Sequence, residues 1–134
     1  MVKLRLVLDS NQYIFYFDNI SADLLKLLDT KAIQVFLNDL IFQEIIRNLR
    51  RESTRNFINL LKNPKFKFII DKIPEDLIEK YKKLNLKKGD FVIAAFCEYI
   101  KADYLITENR HFLKSMKFDK FQVLNLKDFV KKIE

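Results

Sequence analysis

The sequence contains few of the residues that mark several common protein classes. Its 134 residues include one cysteine, one histidine, one glycine and two prolines. A single cysteine excludes an internal disulfide framework and a cysteine-rich zinc site, and a single histidine excludes a site built on several imidazoles. The scarcity of glycine and proline excludes a long linker or a low-complexity tail. The chain is therefore predicted to form one domain over residues 1–134.

Long hydrophobic runs and an apolar leader are also absent. No apolar run approaches the roughly 18 residues that a membrane span requires. Charges at Lys3, Arg5 and Asp9 interrupt the start of the chain, where a signal peptide would be apolar. We therefore expect a cytoplasmic protein that does not enter a membrane. Cys97 follows an apolar run and is expected to be a buried, unreactive thiol.

The charge is unbalanced towards the basic side. There are 25 Lys+Arg residues against 18 Asp+Glu residues, which gives a formal net charge of +7. The excess is spread over both halves of the chain and does not form a basic tail. A positive net charge of this size favours a polyanionic partner, which could be RNA or DNA, an acidic protein or an anionic membrane surface.

Short β-like runs alternate with segments of helical period along the whole chain. This pattern is typical of an α/β domain with a mostly parallel sheet. The predicted strands are residues 3–8, 33–37, 66–70, 104–106 and 122–124. Helices are predicted between and after them, among them residues 12–17, 21–29 and 126–133. Their predicted N-terminal signals are Ser21, Asn38 or Asp39, Ser53, Pro74 and Gly89.

Polar residues that follow the predicted strands are the first candidates for a functional site, because ligands of parallel sheets bind at the carboxyl ends of the strands. Four residues stand out: Asp9, Glu44, Asp90 and Asn109. Each also has a simpler interpretation, since three of them could cap a helix and Glu44 could pair with Arg47 on the helix surface. The doubly wound topology should nevertheless bring all four to one edge of the sheet.

At these positions the sequence resembles the PIN-domain family, which includes the VapC-like toxins. The resemblance is carried by residues 6–11, by Glu44 with Arg47 and Leu49, by Asp90 with residues 93–95, and by residues 102–112. These segments occur in PIN-like order and spacing along nearly the whole chain.

The resemblance implies a three-layer α/β/α domain whose central parallel sheet has the order 3-2-1-4-5. It also implies that Asp9, Glu44, Asp90 and Asn109 are catalytic and bind Mg²⁺ or Mn²⁺, cations that prefer oxygen ligands. The implied activity is endoribonuclease cleavage of RNA by a metal-activated water. As a VapC-like toxin, the protein would have an antitoxin as its partner and would form a homodimer.

Asn109 departs from the family pattern, since many members carry aspartate at this position. An amide adds no charge, so the sequence leaves open whether one or two ions bind. Residues expected to support the four by hydrogen bonds are Ser10, Asn11, Thr107 and Glu108. Residues expected to bind RNA phosphates are Arg47, Arg51, Lys88 and Arg110. Asp103, before the fourth strand, is interpreted as structural, and His111 is given no catalytic role.

Two other interpretations are open at this stage. A degenerate PIN domain could bind RNA or protein without cutting, and Asn109 is the residue that motivates this alternative. Phosphoryl transfer through a phospho-aspartate on Asp9 fits poorly, because haloacid-dehalogenase-like enzymes need a second aspartate where Asn11 stands. Near Asp9, the residues Tyr13, Phe15 and Tyr16 could stack on bases or form a protein interface.

Overall fold

The computed structural model describes residues 3–19, 22–84, 86–87, 89–114 and 118–133. The strands in these residues are β1 Leu4–Leu8, β2 Ile33–Asn38, β3 Phe66–Ile69, β4 Tyr104–Ile106 and β5 Gln122–Leu124. The helices are α1 Ser10–Asn19, α2 Ala22–Asp29, α3 Asp39–Asn48, α4 Arg51–Leu60, α5 Glu75–Lys82, α6 Asp90–Tyr99, α7 Arg110–Lys114 and α8 Leu126–Ile133. Strands and helices alternate as the sequence predicted.

The five strands form one parallel sheet in the order β3-β2-β1-β4-β5. This confirms the predicted α/β/α architecture and the predicted strand order. The central strand β1 pairs with both β2 and β4, and Leu6 stands opposite Val35 on one side and Tyr104 on the other. Successive β1 residues Leu6, Val7 and Leu8 are fully buried, because helices cover both faces of the sheet.

The signals predicted to begin α3 and α4 have different outcomes. The Asn38 side chain accepts a hydrogen bond from the backbone N–H of Ile41 at 3.0 Å, so Asn38 is the N-cap of α3. Ser53 was predicted to begin a helix, but α4 starts at Arg51 with Arg50 as its N-cap. The Thr54 N–H already bonds to the Arg50 carbonyl at 2.8 Å, which places Ser53 inside the first turn. The predicted cap Ser21 lies outside the described residues.

An aromatic cluster joins the helices that follow β1 and β2. The Phe57 ring of α4 is fully buried and lies 5.5 Å from the Tyr13 ring, 6.1 Å from Phe17 and 5.7 Å from Phe42. Tyr13 is therefore part of the core, and its predicted role in base stacking or at an interface is wrong. In α1 the exposed aromatic side chain is Phe15.

Cys97 lies in α6 and is fully buried, as the sequence predicted. Burial raises the pKa of its thiol, so the reactive thiolate is disfavoured.

Within the described residues, no helix has the length and the hydrophobicity that crossing a bilayer requires.

Two buried tyrosines differ in the partners of their hydroxyl groups. The Tyr81 hydroxyl donates to Glu98 Oε1 at 2.7 Å, whereas the Tyr13 hydroxyl has no hydrogen-bond partner among the described residues. We expect Tyr81→Phe to lower the free energy of unfolding by about 1–2 kcal/mol, because a hydrogen bond to a charged acceptor is lost. Tyr13→Phe should leave it unchanged or raise it. Urea unfolding of both variants tests this pair, and an equal loss in the two would contradict it.

Candidate active site

All four residues predicted to form the site lie at the carboxyl edge of the sheet. Asp9 directly follows β1, Glu44 lies in α3, Asp90 is the first residue of α6, and Asn109 lies between β4 and α7. The Asn109 Nδ2 donates to Asp90 Oδ2 at 3.4 Å. Ser10, next to Asp9, donates from its Oγ to Glu44 Oε2 at 2.9 Å. The topology therefore gathers residues that are up to a hundred positions apart.

Asp9 is held rigidly between two strands. Its backbone N–H donates to the Ile106 carbonyl at 2.9 Å, which ties the end of β1 to the end of β4. Its carboxylate accepts from the Ser10 backbone N–H at 2.8 Å and from Thr107 Oγ1 at 2.7 Å. The Asp9 side chain is only 5% exposed, so the sheet fixes its position.

The electrostatic environment of Asp9 opposes its ionisation. Burial raises the pKa of Asp9 above its ordinary value of 3.8, and the hydrogen bonds from Thr107 and Ser10 only partly offset this. The negative charges of Glu44 and Asp90 raise the pKa further. All three carboxylates are thus close enough to repel one another, and a cation among them would relieve the repulsion.

Asp90 is in a similar position at the start of α6. Burial raises its pKa, the hydrogen bond from Asn109 and the positive charges of His111 and Lys87 lower it, and Glu44 raises it. His111, to which the sequence analysis gives no catalytic role, therefore acts together with Lys87 on the charge of Asp90.

The turn before Asp90 requires a glycine. Gly89 is the N-cap of α6 and has a φ of 92°, a left-handed conformation that other residues rarely adopt. The predicted break at Gly89 is confirmed. It places the Asp90 carboxylate in the first turn, where the helix dipole favours a negative charge.

Asn109 caps the helix that follows it. Its Oδ1 accepts from the His111 backbone N–H at 2.9 Å, while its Nδ2 faces Asp90. The capping role that the sequence left open is therefore confirmed. The oxygen that a cation would use is the same atom that accepts the capping hydrogen bond, so the ligand role of Asn109 stays a prediction.

The chemistry of these donors fits a hard divalent cation. Mg²⁺ takes oxygen ligands, keeps several waters and often uses only one or two carboxylates. Within the described part of the chain, no three acidic, histidine or cysteine side chains converge into a ready metal cluster. The carboxylates of Asp9, Glu44 and Asp90 are oxygen donors of the kind that such an ion takes.

The four residues predicted to support the site have different partners. Thr107 is fully buried and contacts Asp9, Ser10 contacts Glu44, and the Asn11 Nδ2 lies 3.5 Å from Thr107 Oγ1. Glu108 binds the backbone of a segment farther along the chain. Its Oε2 accepts from the backbone N–H of Leu126 at 3.1 Å and so ties the site loop to the start of α8.

Gln12 is a buried residue of the site that the sequence analysis missed. Its side chain is 3% exposed and its Nε2 donates to Glu108 Oε2 at 2.7 Å. The only sequence signal was the polar run that follows β1.

Asp103 lies at the opposite edge of the sheet, where its Oδ2 accepts from the Arg5 backbone N–H at 2.8 Å, so its structural interpretation is confirmed.

The basic residues predicted to bind RNA are mostly solvent-exposed. Arg47, Arg51 and Arg110 are exposed, and the Arg47 Nε donates to the Gln43 carbonyl of its own helix at 3.3 Å. Lys88 lies outside the described residues. Exposure leaves the three arginines available to phosphates, and RNA binding by them stays a prediction.

Comparisons with known proteins agree with this fold. Residues 6–117 match the family model of the PIN domain. A chain of VapBC from Salmonella typhimurium, solved bound to DNA, superposes with a TM-score of 0.68 at 15% identity, covering 94% of this chain and 99% of that chain. A chain of VapBC2 from Rickettsia felis, bound to a DNA fragment from their promoter, gives 0.67 at 14% identity, covering 91% and 98%.

A third solved structure, the PIN domain of T. brucei RRP44, superposes with a TM-score of 0.60 at 8% identity, covering 98% of this chain and 81% of that chain. No curated protein sequence matches significantly. The family model covers most of the chain, and the sheet order agrees with the one expected for the family. The chain belongs to the PIN domain family, whose members are generally nucleases.

Proposed function

We propose that this protein is a metal-dependent endoribonuclease, formed by one PIN domain over residues 1–134, that cleaves RNA phosphodiester bonds. The observation that carries the proposal is the buried carboxylate of Asp9, whose pKa is raised by burial and by the charges of Glu44 and Asp90. Keeping three repelling carboxylates at one sheet edge costs stability, which is a common feature of functional sites.

Asp9, Glu44 and Asp90 would hold Mg²⁺ or Mn²⁺, with Asn109 contributing its amide oxygen or positioning a water. When bound, the ion supplies a water of lowered pKa and neutralises charge on the phosphate. The chain itself orients the donors, since Asn109 donates to Asp90 at 3.4 Å. Ser10 holds Glu44 at 2.9 Å in the same way.

The charge of the protein suits a nucleic-acid substrate, and the resemblance to the PIN family favours RNA. The net charge of +7 attracts a phosphate backbone, and the basic residues proposed to contact it are Arg47, Arg51, Lys88 and Arg110. Such contacts position the substrate without selecting its sequence, so affinity should fall steeply with added salt.

The structural neighbours support a role in a toxin–antitoxin pair. Two of them are described as VapBC complexes bound to DNA. By analogy, the present chain would be the toxin, and a separate antitoxin protein would neutralise it. A homodimer and a cytoplasmic location belong to the same proposal.

The experiment that tests the proposal is cleavage of end-labelled total tRNA and mRNA by the purified protein with Mn²⁺ or Mg²⁺, beside a reaction with EDTA. We expect discrete fragments that require the metal. Glu44→Gln should lower the cleavage rate about tenfold, because a half-exposed charge near the ion is worth about 1.4 kcal/mol.

The matched control is Glu79→Gln, which makes the same change at an exposed position of α5. It should cleave like the wild type. Cleavage that persists in EDTA, or an equal loss in both variants, would contradict the proposal.

A second candidate function is a non-cleaving PIN domain that binds RNA or protein. The observation that favours it is Asn109, a neutral amide whose oxygen already caps α7. RNA binding that is unchanged by EDTA, without products from any substrate, would support this function over the nuclease.

A further inference from the structure

The Gln12 side chain occupies a buried position beside the acidic residues. Its amide nitrogen donates one hydrogen bond to Glu108 Oε2 at 2.7 Å and another to Asn11 Oδ1 at 3.3 Å. An amide nitrogen has two protons, so both are used. Burying an amide is favourable only when its donors are satisfied, which gives Gln12 a defined orientation.

Glu108 determines which end of the Gln12 amide faces it. Its Oε2 accepts from both the Gln12 side chain and the Leu126 backbone N–H. An ionised carboxylate can only accept, so the Gln12 nitrogen must point towards it. The Gln12 nitrogen then also faces Asn11, which has to present its oxygen.

The orientation of the Asn11 amide determines which of its atoms faces Thr107. With its oxygen towards Gln12, Asn11 presents Nδ2 to Thr107 Oγ1 at 3.5 Å. The Asn109 backbone N–H also donates to Thr107 Oγ1, at 3.0 Å. Because two donors face the Thr107 oxygen, its single proton is directed to the remaining neighbour, Asp9 Oδ2, at 2.7 Å.

We propose that Gln12 is a positioning residue: together with Glu108 it fixes the Asn11 amide and thereby directs the Thr107 hydroxyl proton to Asp9. The chain of contacts runs from Glu108 through Gln12, Asn11 and Thr107 to Asp9. Its effect on metal binding rests on the proposed function, whereas the orientation of the Asn11 amide does not.

The test is an exchange of the two outer residues, Gln12→Glu with Glu108→Gln. The exchange keeps the net charge and the amide–carboxylate pair. Glu108 Oε2 accepts both wild-type hydrogen bonds, so the glutamine nitrogen that faces residue 12 in the exchange variant replaces the atom that accepts from Leu126. The contact to Leu126 is therefore lost in this variant, but that loss lies at the start of α8 and does not itself turn the Asn11 amide. A carboxylate at position 12 accepts only, so Asn11 must turn its nitrogen to it and its oxygen to Thr107. The Thr107 proton then has a second acceptor in competition with Asp9.

The first measurement uses metal-free protein and nuclear magnetic resonance. In the wild type, a nuclear Overhauser effect is expected between the Asn11 side-chain amide protons and the Thr107 side chain. In the exchange variant this nuclear Overhauser effect should disappear, and a new one should connect the Asn11 amide protons to the side chain of residue 12. Glu108→Gln alone retains an oxygen that accepts from Gln12, so it should keep the wild-type signal. A wild-type signal in the exchange variant would overturn the proposal.

The second measurement is calorimetric titration with Mn²⁺. Loss of a partner that orients a metal ligand costs about 10-fold to 100-fold in metal affinity, and we expect this for the exchange variant. Thr107→Val removes the hydroxyl, so adding the exchange to it should cost nothing more. Losses that add in the combined variant would overturn the proposed route through Thr107. A wild type that binds no Mn²⁺ would refute the proposed function, and the amide signal would still decide the orientation.

Discussion

Asp9→Asn is expected to lower metal-dependent cleavage by about 10³-fold and to raise the unfolding temperature of the metal-free protein. The loss of activity follows because the most buried of the three carboxylates disappears, and interactions with a catalytic ion are worth several kcal/mol. The gain in stability follows because burial and the charges of Glu44 and Asp90 oppose the ionised form of Asp9, and we expect this to outweigh the one accepted hydrogen bond that an amide loses. Cleavage assays and thermal unfolding in EDTA measure the two effects.

The gain in stability should depend on pH. The folded protein binds the Asp9 proton more tightly than the unfolded chain, so the charged carboxylate destabilises the fold above its raised pKa. This penalty decreases as the pH falls through the raised value and is gone below the ordinary value of 3.8. The stability difference between Asp9→Asn and the wild type should therefore be largest at neutral pH and vanish in acid.

Asp103→Asn is the matched control for Asp9→Asn. It makes the same chemical change at the opposite edge of the sheet, where Asp103 accepts from the Arg5 N–H. Cleavage by this variant should equal that of the wild type. If Asp9→Asn kept its activity, or if it unfolded at a lower temperature than the wild type at neutral pH, the assignment of Asp9 would be wrong.

Asn109→Asp is expected to tighten Mn²⁺ binding by about 30-fold and to lower the stability of the metal-free protein. An added unit charge about 4 Å from a divalent ion gains about 2 kcal/mol even at the dielectric constant of water. Without metal, the new carboxylate replaces the amide that donates to Asp90 and repels it instead. Aspartate can still cap α7, so the fold should persist.

Calorimetric titration and thermal unfolding with and without Mn²⁺ measure both effects of Asn109→Asp. Asn56→Asp, which adds the same charge at an exposed position of α4, serves as the control and should change neither. An unchanged affinity in Asn109→Asp would show that position 109 does not face the ion. It would also favour the non-cleaving alternative for this chain.

Much of the fold could be predicted from local patterns. The strands were found because parallel strands covered on both faces read as continuous apolar runs, as in Leu6, Val7 and Leu8. The cap at Asn38 was predicted because such side chains satisfy free N–H groups at a helix start. The Ser53 side chain could cap a helix in the same way, but α4 begins two residues earlier, at Arg51, so Ser53 lies within the helix.

The acidic residues could be placed because strand ends in a parallel sheet share one edge. Position after a strand made Asp9 and Asn109 candidates, helix position did the same for Glu44 and Asp90, and the resemblance to the PIN family implied their common role. Sequence alone did not show that the Asn109 oxygen caps α7, since one residue type serves as cap and as ligand. Nor did it show that Tyr13 is buried against Phe57, which comes from a distant helix.

The sequence by itself determined the α/β class, the order of the elements and which acidic residues are candidates for the site, because periodicity, capping and strand ends are local properties of the chain. Only the tertiary structure decided which hydrogen-bond partner each polar side chain has. Gln12 and Glu108 are 96 positions apart, and they meet because β1 and β4 are neighbours in the sheet. Gln12 is buried there, so both of its amide protons need acceptors, and the arrangement that supplies them orients the groups around Asp9.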